Sequence, residues 1–175
     1  TIQTGPEKVN TLVIDGEGTV TIEPEIYGHF AEHLGRCVYE GFWVGKDSKI
    51  PNVRGIRTDV VEALKKLNIP VLRWPGGCFA DEYHWRKGVG PLGQRPVTLN
   101  PNWGGVMEPN TFGTHEFMQL CTLIGARPYL AANMGRGTPA EVRDWVEYCN
   151  FPAGSTLAEE RITNGAKNPF DVAFW

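Results

Sequence analysis

Two segments of the sequence concentrate side chains that could bind or transform a small ligand. The first, His29-Phe-Ala-Glu-His33, has the H-x-x-E-H pattern, in which two histidines on one helical face bind zinc and the glutamate acts as a base. Such a site needs a helix of at least two turns, but Gly28 and Gly35 flank this segment and Ile26 favours a strand. The sequence therefore favours a different arrangement, in which Glu32 lies at the mouth of a sheet or barrel and accepts hydrogen bonds from ligand hydroxyls.

The second segment leaves a predicted strand at Arg73 and continues through a Pro-Gly-Gly turn to Asp81 and Glu82. An arginine at a strand end can hold a neighbouring carboxylate ionised through a charge-assisted hydrogen bond. A structural pair of arginine and carboxylate explains this segment equally well. Trp103 and Asn133 add an aromatic ring and an amide on later loops. Rings that stack on C–H faces and polar groups that bind hydroxyls suit a neutral polyhydroxylated ligand better than a phosphate or a metal ion.

The charge balance argues against nucleic-acid and membrane binding, and the context of a glycine motif argues against a dinucleotide cofactor. Lys and Arg number 17 against 20 Asp and Glu, giving a net charge of −3, so nucleic acid and anionic membranes are not expected partners. Residues 88–93 match G-x-G-x-x-G, but they do not follow a hydrophobic strand, and Pro91 and Pro96 interrupt what comes next. We therefore expect no cofactor and no metal.

The elements that must position these residues alternate between strand and helix. Strands are predicted to begin near positions 26, 69, 127 and 171, with a helix inside each complete unit, which is typical of a parallel α/β sheet. Two more short strands are predicted over residues 11–14 and 19–22. The long loops follow the strands, and active sites of α/β folds are built from such loops.

Three helices have identifiable ends. The first runs from Thr58, with Thr58 or Asp59 as its cap, to Leu67; the second begins at Thr114 and ends at Gly125. The third has the clearest start, because a capping threonine, a proline and a glutamate occupy positions 138, 139 and 141.

Cysteine usage and the N-terminus say little about location. The four cysteines lie far apart and are expected to be buried free thiols; they are Cys37, Cys78, Cys121 and Cys149. Residues 1–10 carry no signal-peptide pattern. The protein could be cytoplasmic or, if a leader was removed before Thr1, periplasmic or secreted.

The order of these motifs resembles that of the α-L-arabinofuranosidases of glycoside hydrolase family 51. The resemblance runs from about Ile22 to Trp175. The stretches that carry it are Ile26–Arg36, Arg57–Val60, Arg73–Gly77, Asp81–Trp85, Gly88–Pro91, Gln94–Pro96, Phe112–Phe117 and Trp145–Asn150.

The resemblance implies a (β/α)₈ TIM barrel together with a β-sandwich. Residues 22–175 would form the first three βα units and the start of the fourth strand, and residues 1–21 a short β segment that joins a C-terminal sandwich. Because such a barrel takes about 250 residues, we expect this stretch to be the N-terminal portion of the enzyme and to pack against the remainder of it.

The implied activity is exo-acting removal of terminal arabinofuranosyl groups from arabinan and arabinoxylan oligosaccharides, with retention of configuration. Retention requires two carboxyl groups about 5 Å apart. In the family the acid/base belongs to an Asn-Glu pair past the fourth strand, and the nucleophile lies on a later strand. The sequence contains no Asn-Glu dipeptide. Both catalytic residues are therefore expected after Trp175, and the chain alone is expected to be inactive.

By position in these motifs, the resemblance implies that Glu32, Gly77, Cys78 and Trp103 bind the sugar and that Arg73 supports the nucleophile. Cys78 stands where some relatives have asparagine. The full-length protein is expected to form a homo-oligomer.

Two alternatives remain open from the residues. The aromatic loops would also suit a non-catalytic carbohydrate-binding module, which calorimetry with arabino-oligosaccharides would reveal. A zinc metallopeptidase using His29, Glu32 and His33 would instead contain stoichiometric zinc.

Overall fold

The computed structural model describes residues 11–13, 16, 18 and 20–175. Its strands are β1 (His29–Phe30), β2 (Asn52–Val53), β3 (Ile56–Arg57), β4 (Val71–Trp74), β5 (Thr98–Asn100), β6 (Val106–Glu108) and β7 (Arg127–Leu130). Its α-helices are α1 (Thr58–Lys65), α2 (Thr114–Ile124), α3 (Pro139–Asn150) and α4 (Thr156–Thr163). In this part of the chain, none of the helices has the length and apolar character that a bilayer crossing requires.

The central sheet is parallel, and its strands lie side by side in chain order, β1, β4 and β7. Phe30 pairs with Arg73, which pairs with Tyr129. A parallel bridge from Tyr129 to Phe174 continues the same order. Because α1 connects β1 to β4 and α2 connects β4 to β7, the chain forms successive βα units. The α/β prediction is confirmed.

One face of the sheet is covered by an aromatic core. The ring of Trp74 stacks on Phe117 of α2 at 5.2 Å and meets Trp145 of α3 edge-on at 6.4 Å between centroids. Trp85 lies parallel to Trp145 and also contacts Tyr148. All five side chains are at most 2% exposed. Burial of aromatic surface therefore fixes the helices on the sheet.

The opposite face carries a different row of side chains. Phe30, Arg73, Tyr129 and Phe174 occupy one register position on successive strands, so they share this face. The Arg73 guanidinium lies 5.3 Å above the Phe30 ring, and Phe30 is 62% exposed. This face therefore presents aromatic and cationic groups, whereas Trp74, one residue further on, points to the helices.

Two of the predicted helices begin and end as expected. Helix α2 starts at Thr114, and Gly125 follows it with φ of 77°, a left-handed conformation that glycine adopts without strain. The Thr138 hydroxyl caps α3 by accepting a hydrogen bond from the Glu141 amide at 3.1 Å. The predicted cap of α1 is wrong: Arg57 occupies that position without a side-chain cap, and its guanidinium pairs with Asp59.

Other predicted elements are shorter, and several elements were not predicted. Residues Pro24–Tyr27 form a 3₁₀ turn, so the predicted strand at 26–30 is reduced to β1. The predicted last strand contributes only the bridge at Phe174. The elements that the sequence did not predict are β2, β3, β5, β6 and α4. Each of these is a short element within a stretch rich in glycine or polar residues, where periodicity is weak.

The predicted N-terminal β segment, residues 1–21, falls largely outside the described residues. The described residues between Thr11 and Ile22 are not in strands. The domain division therefore stays a prediction. All four cysteines are free thiols, and Cys121 and Cys149 are buried as expected. Cys37 and Cys78 are exposed, against expectation, because they lie on loops that follow strands.

Candidate functional site

Glu32 joins three segments that are distant in sequence. It lies just after β1 and is only 8% exposed. Its Oε1 accepts a hydrogen bond from the Gly77 amide at 2.9 Å and another from the Trp103 indole at 3.3 Å. The turn after β4 and the loop between β5 and β6 therefore meet on this carboxylate, at the carboxyl edge of the parallel sheet.

The turn after β4 fits closely around Glu32. A Cβ on Gly76 would lie 2.6 Å from the Glu32 Cγ, so only glycine allows this approach. The carbonyl of Cys78, two residues later, accepts a hydrogen bond from the Asn102 side chain at 3.2 Å. Asn102 precedes Trp103, so the turn after β4 and the loop that carries Trp103 are linked directly by this hydrogen bond and indirectly through Glu32. We call Glu32, Gly77, Cys78 and Trp103 the mouth.

The structure thus brings together all four residues predicted to bind substrate. Gly77 and Cys78 are exposed, Trp103 is half-buried, and Glu32 is held below them. Both hydrogen bonds to Glu32 from the described residues end at its Oε1. Its Oε2 is therefore able to accept from a ligand hydroxyl. The mouth can therefore offer a carboxylate acceptor, backbone groups and an indole ring to a polyhydroxylated ligand.

His33 is not available as a metal ligand. The indole of Trp74 donates to its Nε2 at 3.0 Å, so that nitrogen carries no proton and Nδ1 donates to Glu108 at 3.2 Å. His33 is 3% exposed and its ring stacks on Phe79. His29 lies in strand β1 rather than on a helix with His33.

The zinc metallopeptidase alternative is therefore wrong, because both ring nitrogens of one required ligand are occupied. Among the described residues, no group of three histidines, cysteines or acids has a geometry suited to a metal ion.

Two tyrosine rings, those of Tyr39 and Tyr83, lie against the His33 ring. Burial raises the pKa of both hydroxyls well above the usual range, so both stay neutral.

The other polar residues of the sequence analysis occupy separate positions. Arg73 lies on the open sheet face, and no carboxylate of the described residues pairs with it. Glu82 forms an ion pair with Arg136 at 3.1 Å. Asn133 is buried and holds a turn, since its side chain bonds the Tyr83 carbonyl and the Arg136 amide. Glu82 and Asn133 therefore both have partners within the chain.

Sequence reasoning missed two buried residues that support the mouth. Asn100 is fully buried and Glu108 is 3% exposed, and both contact His33. Gly104 and Gly105, between two short apolar runs, were the available signal, because such a pair indicates a hairpin turn.

Comparisons with known proteins identify the family of the chain. Residues 63–175 match the family model described as the alpha-L-arabinofuranosidase 1 domain. The chain belongs to the α-L-arabinofuranosidases of glycoside hydrolase family 51. It is 52% identical over 169 residues to an intracellular exo-alpha-L-arabinofuranosidase of Bacteroides ovatus, covering 96% of this chain and 33% of that protein.

Solved arabinofuranosidase structures are similar to the same part of the chain. The family 51 arabinofuranosidase of Xanthomonas axonopodis pv. citri superposes with a TM-score of 0.83 and 53% identity, covering 85% of this chain and 30% of that one. The arabinose complex of the Thermotoga maritima enzyme gives 0.81 and 48%, with 85% and 30% covered. The chain spans about a third of the length of the curated arabinofuranosidases that it matches.

Proposed function

We propose that the chain supplies the sugar-binding mouth of an exo-acting, retaining α-L-arabinofuranosidase. The enzyme would remove terminal arabinofuranosyl groups from arabinan and arabinoxylan oligosaccharides. The observation that carries this is the convergence of Gly77 and Trp103 on Glu32 at the edge of the sheet. The name of the Bacteroides ovatus relative supports the exo action, and the Thermotoga maritima complex supports arabinose as the ligand.

Each group of the mouth has a role in this proposal. Oε2 of Glu32 would accept a hydrogen bond from a sugar hydroxyl, a charge-assisted contact. The turn at Gly77 and Cys78 would line the subsite for the arabinose ring, and the Trp103 indole would flank it. Contacts of this kind bind a neutral sugar without a cofactor.

The proposed fold is a (β/α)₈ barrel. Residues 22–175 would contribute three βα units and the start of the fourth strand, while residues 1–21 would join a β-sandwich. The sequential parallel order of β1, β4 and β7, continued at Phe174, supports a barrel over an open sheet whose strand order reverses. The row from Phe30 to Phe174 would then face the barrel interior.

Both catalytic carboxylates are proposed to lie outside these 175 residues. The two buried acids of this region already have hydrogen-bond partners: Glu32 accepts from two neutral donors, and Glu108 accepts from His33. Arg73 would support the nucleophile, since its guanidinium lies on the face proposed to be the interior. The chain would then need the remainder of the enzyme for activity. We also propose a homo-oligomer for the full-length protein, which size-exclusion chromatography with light scattering would test.

The direct test is an assay of the full-length gene product with 4-nitrophenyl α-L-arabinofuranoside and with arabino-oligosaccharides. We expect release of single arabinose units, and proton NMR of the first-formed product should show the retained anomer. Residues 1–175 expressed alone should release none. Binding without hydrolysis by the full-length product would instead support a carbohydrate-binding module, and an inverted product would exclude the retaining mechanism.

A further inference from the structure

The hairpin formed by β5 and β6 buries polar side chains and exposes apolar ones, the reverse of a hairpin held by apolar packing. Leu99 and Met107 pair across it and are 57% and 61% exposed. Asn100 and Glu108 are instead 0% and 3% exposed. Antiparallel strands usually turn apolar side chains inward, and a hairpin of two three-residue strands is marginal by itself. Polar contacts must therefore set the position of this hairpin.

Those polar contacts begin at the aromatic core. The Trp74 indole donates to His33 Nε2, and His33 Nδ1 donates to Oε2 of Glu108. Oε1 of Glu108 accepts from Asn100 Nδ2 at 2.9 Å, and the same amide group donates to the His33 carbonyl at 2.8 Å. Each buried polar group in this series has a partner, which makes the series directional and rigid.

The series ends at the tryptophan of the mouth. Oδ1 of Asn100 accepts a hydrogen bond from the Trp103 amide at 3.1 Å, and the Trp103 indole reaches Glu32. Glu32 and His33 are adjacent in the chain. The position of the Trp103 backbone is therefore fixed by Asn100, which is itself bonded to His33, and the position of its side chain is fixed by Glu32.

We propose that Asn100 and Glu108 are positioning residues that hold Trp103 against Glu32 and so set the affinity for the sugar. Neither side chain touches the mouth's ligand-facing surface, since both are buried beneath it. Their effect acts through Trp103. This inference rests on the proposed function for its substrate, but the geometry itself does not depend on the reaction.

The test uses Asn100→Asp in the full-length gene product. Aspartate keeps the oxygen that accepts from the Trp103 amide, but it loses the donor to Glu108 and to the His33 carbonyl and places two carboxylates together. We expect KM for 4-nitrophenyl α-L-arabinofuranoside to rise at least 10-fold, while kcat stays within 3-fold. The double variant N100D/E108Q restores a hydrogen bond between positions 100 and 108 with the roles exchanged, but not the one to the His33 carbonyl, so its KM should fall at least 3-fold below that of Asn100→Asp without reaching the wild-type value.

Two further measurements separate positioning from a general structural role. In a Trp103→Ala background, Asn100→Asp should add less than 2-fold to KM, because the residue through which it acts is gone. A matched control is Asn110→Asp, two residues beyond β6. Asn110 is also buried and donates to the Pro96 carbonyl, the Thr98 hydroxyl and, at 3.4 Å, the backbone carbonyl of Glu108, but none of its side-chain hydrogen bonds reaches Trp103 or the Glu108 carboxylate. Its KM should change less than 2-fold even where Tm falls.

A substrate-free readout keeps the inference independent of the activity. With 5-fluorotryptophan incorporated, the ¹⁹F resonance of Trp103, assigned by its loss in Trp103→Phe, should shift in Asn100→Asp and move back towards its wild-type position in N100D/E108Q. If Asn100→Asp does not fold, Glu108→Gln replaces it, with the same shift and a KM rise of at least 3-fold expected.

The outcomes distinguish the two proposals. An unchanged resonance and an unchanged KM in an active enzyme, or a full KM effect in the Trp103→Ala background, would overturn the positioning role. A shifted resonance in a protein that hydrolyses no arabinofuranoside would retain the positioning of Trp103 and reject the proposed function.

Discussion

The aromatic core and the mouth are stabilised by different forces. The core, made of Trp74, Trp85, Phe117, Trp145 and Tyr148, is stabilised by burial of large rings. The mouth contains one partly buried ring and is shaped by hydrogen bonds to Glu32. Ring burial is additive and tolerant of direction, whereas hydrogen bonds fix atoms to within a few tenths of an ångström.

Trp74 links the core to the mouth through His33. Its ring is fully buried against Phe117, while its indole N–H starts the polar series at His33. The core therefore acts as a rigid base for the mouth. A functional site needs such support, because groups that are held loosely lose affinity and rate. The comparison predicts that changes in the core mainly lower stability, while changes in the mouth mainly lower affinity and rate.

The largest effect is expected from Phe117→Ala. Removing this fully buried ring should lower the free energy of unfolding by about 3–5 kcal/mol through lost burial and a cavity beside Trp74. Urea denaturation measures it. Phe151→Ala, at a site 51% exposed, is the control and should cost under about 0.5 kcal/mol. A KM change above 3-fold in folded Phe117→Ala would contradict the separation of the two regions.

The next effect depends on pH and concerns the edge of the core. Burial lowers the pKa of His115 from 6.5 to about 4, and its Nε2 lies 2.7 Å from the Tyr148 hydroxyl. Below pH 6.5 His115 becomes protonated in the unfolded chain but stays neutral in the folded chain. The free energy of unfolding therefore falls as the pH is lowered from 6.5 to about 4. That loss should reach at most about 3 kcal/mol.

Urea denaturation of His115→Gln against wild type tests this prediction. The variant should lose less stability than wild type between pH 6.5 and pH 4 and should show the same slope as wild type above pH 7. Parallel curves for the two proteins across this range would show that His115 does not contribute.

The smallest free-energy change is expected in the mouth, from Glu32→Gln. Glutamine can still accept from the Gly77 amide and the Trp103 indole, so stability should change little. Loss of the charge facing a sugar hydroxyl should lower kcat/KM by about 10- to 100-fold, or about 1.4–2.7 kcal/mol.

A covalent glycosyl-enzyme should still be trapped in Glu32→Gln with a 2-fluoro arabinofuranoside and detected by intact mass. Complete loss of trapping in a variant that still binds arabinose would mean that Glu32 is itself the nucleophile. A Tm fall larger than that of Phe117→Ala would reverse the comparison between the two regions.

Much of the chain's organisation was predictable because its signals are local. The left-handed glycine at Gly125, the capping Thr138 and the apolar spacing within α2 depend on residues a few positions apart. Helix α4 was missed although Ser155 caps it by accepting from the Ala158 amide. Its helix is short and its inward face includes the buried Arg161, whose charge hides the apolar pattern.

Glu32 and Trp103 were candidates from their residue types and positions, but only the family's motifs added Gly77 and Cys78 to them. Glu32 and Trp103 are 71 positions apart, and Asn100 is 67 positions from His33. No local sequence pattern indicates which polar residues of the long loop after β4 contact the segment that follows β1. The inverted burial of the hairpin made its two supporting residues look like ordinary exposed polar positions.

The sequence by itself determined the family, the alternation of strands and helices, and the candidate residues of the mouth. It could do so because helix caps, glycine turns and family motifs are short-range patterns. Only the tertiary structure decided that both ring nitrogens of His33 are hydrogen-bonded, that Glu82 belongs to an ion pair, and that Asn100 contacts both Glu108 and the Trp103 amide. Those outcomes depend on which donor meets which acceptor after the chain has closed loops of several dozen residues.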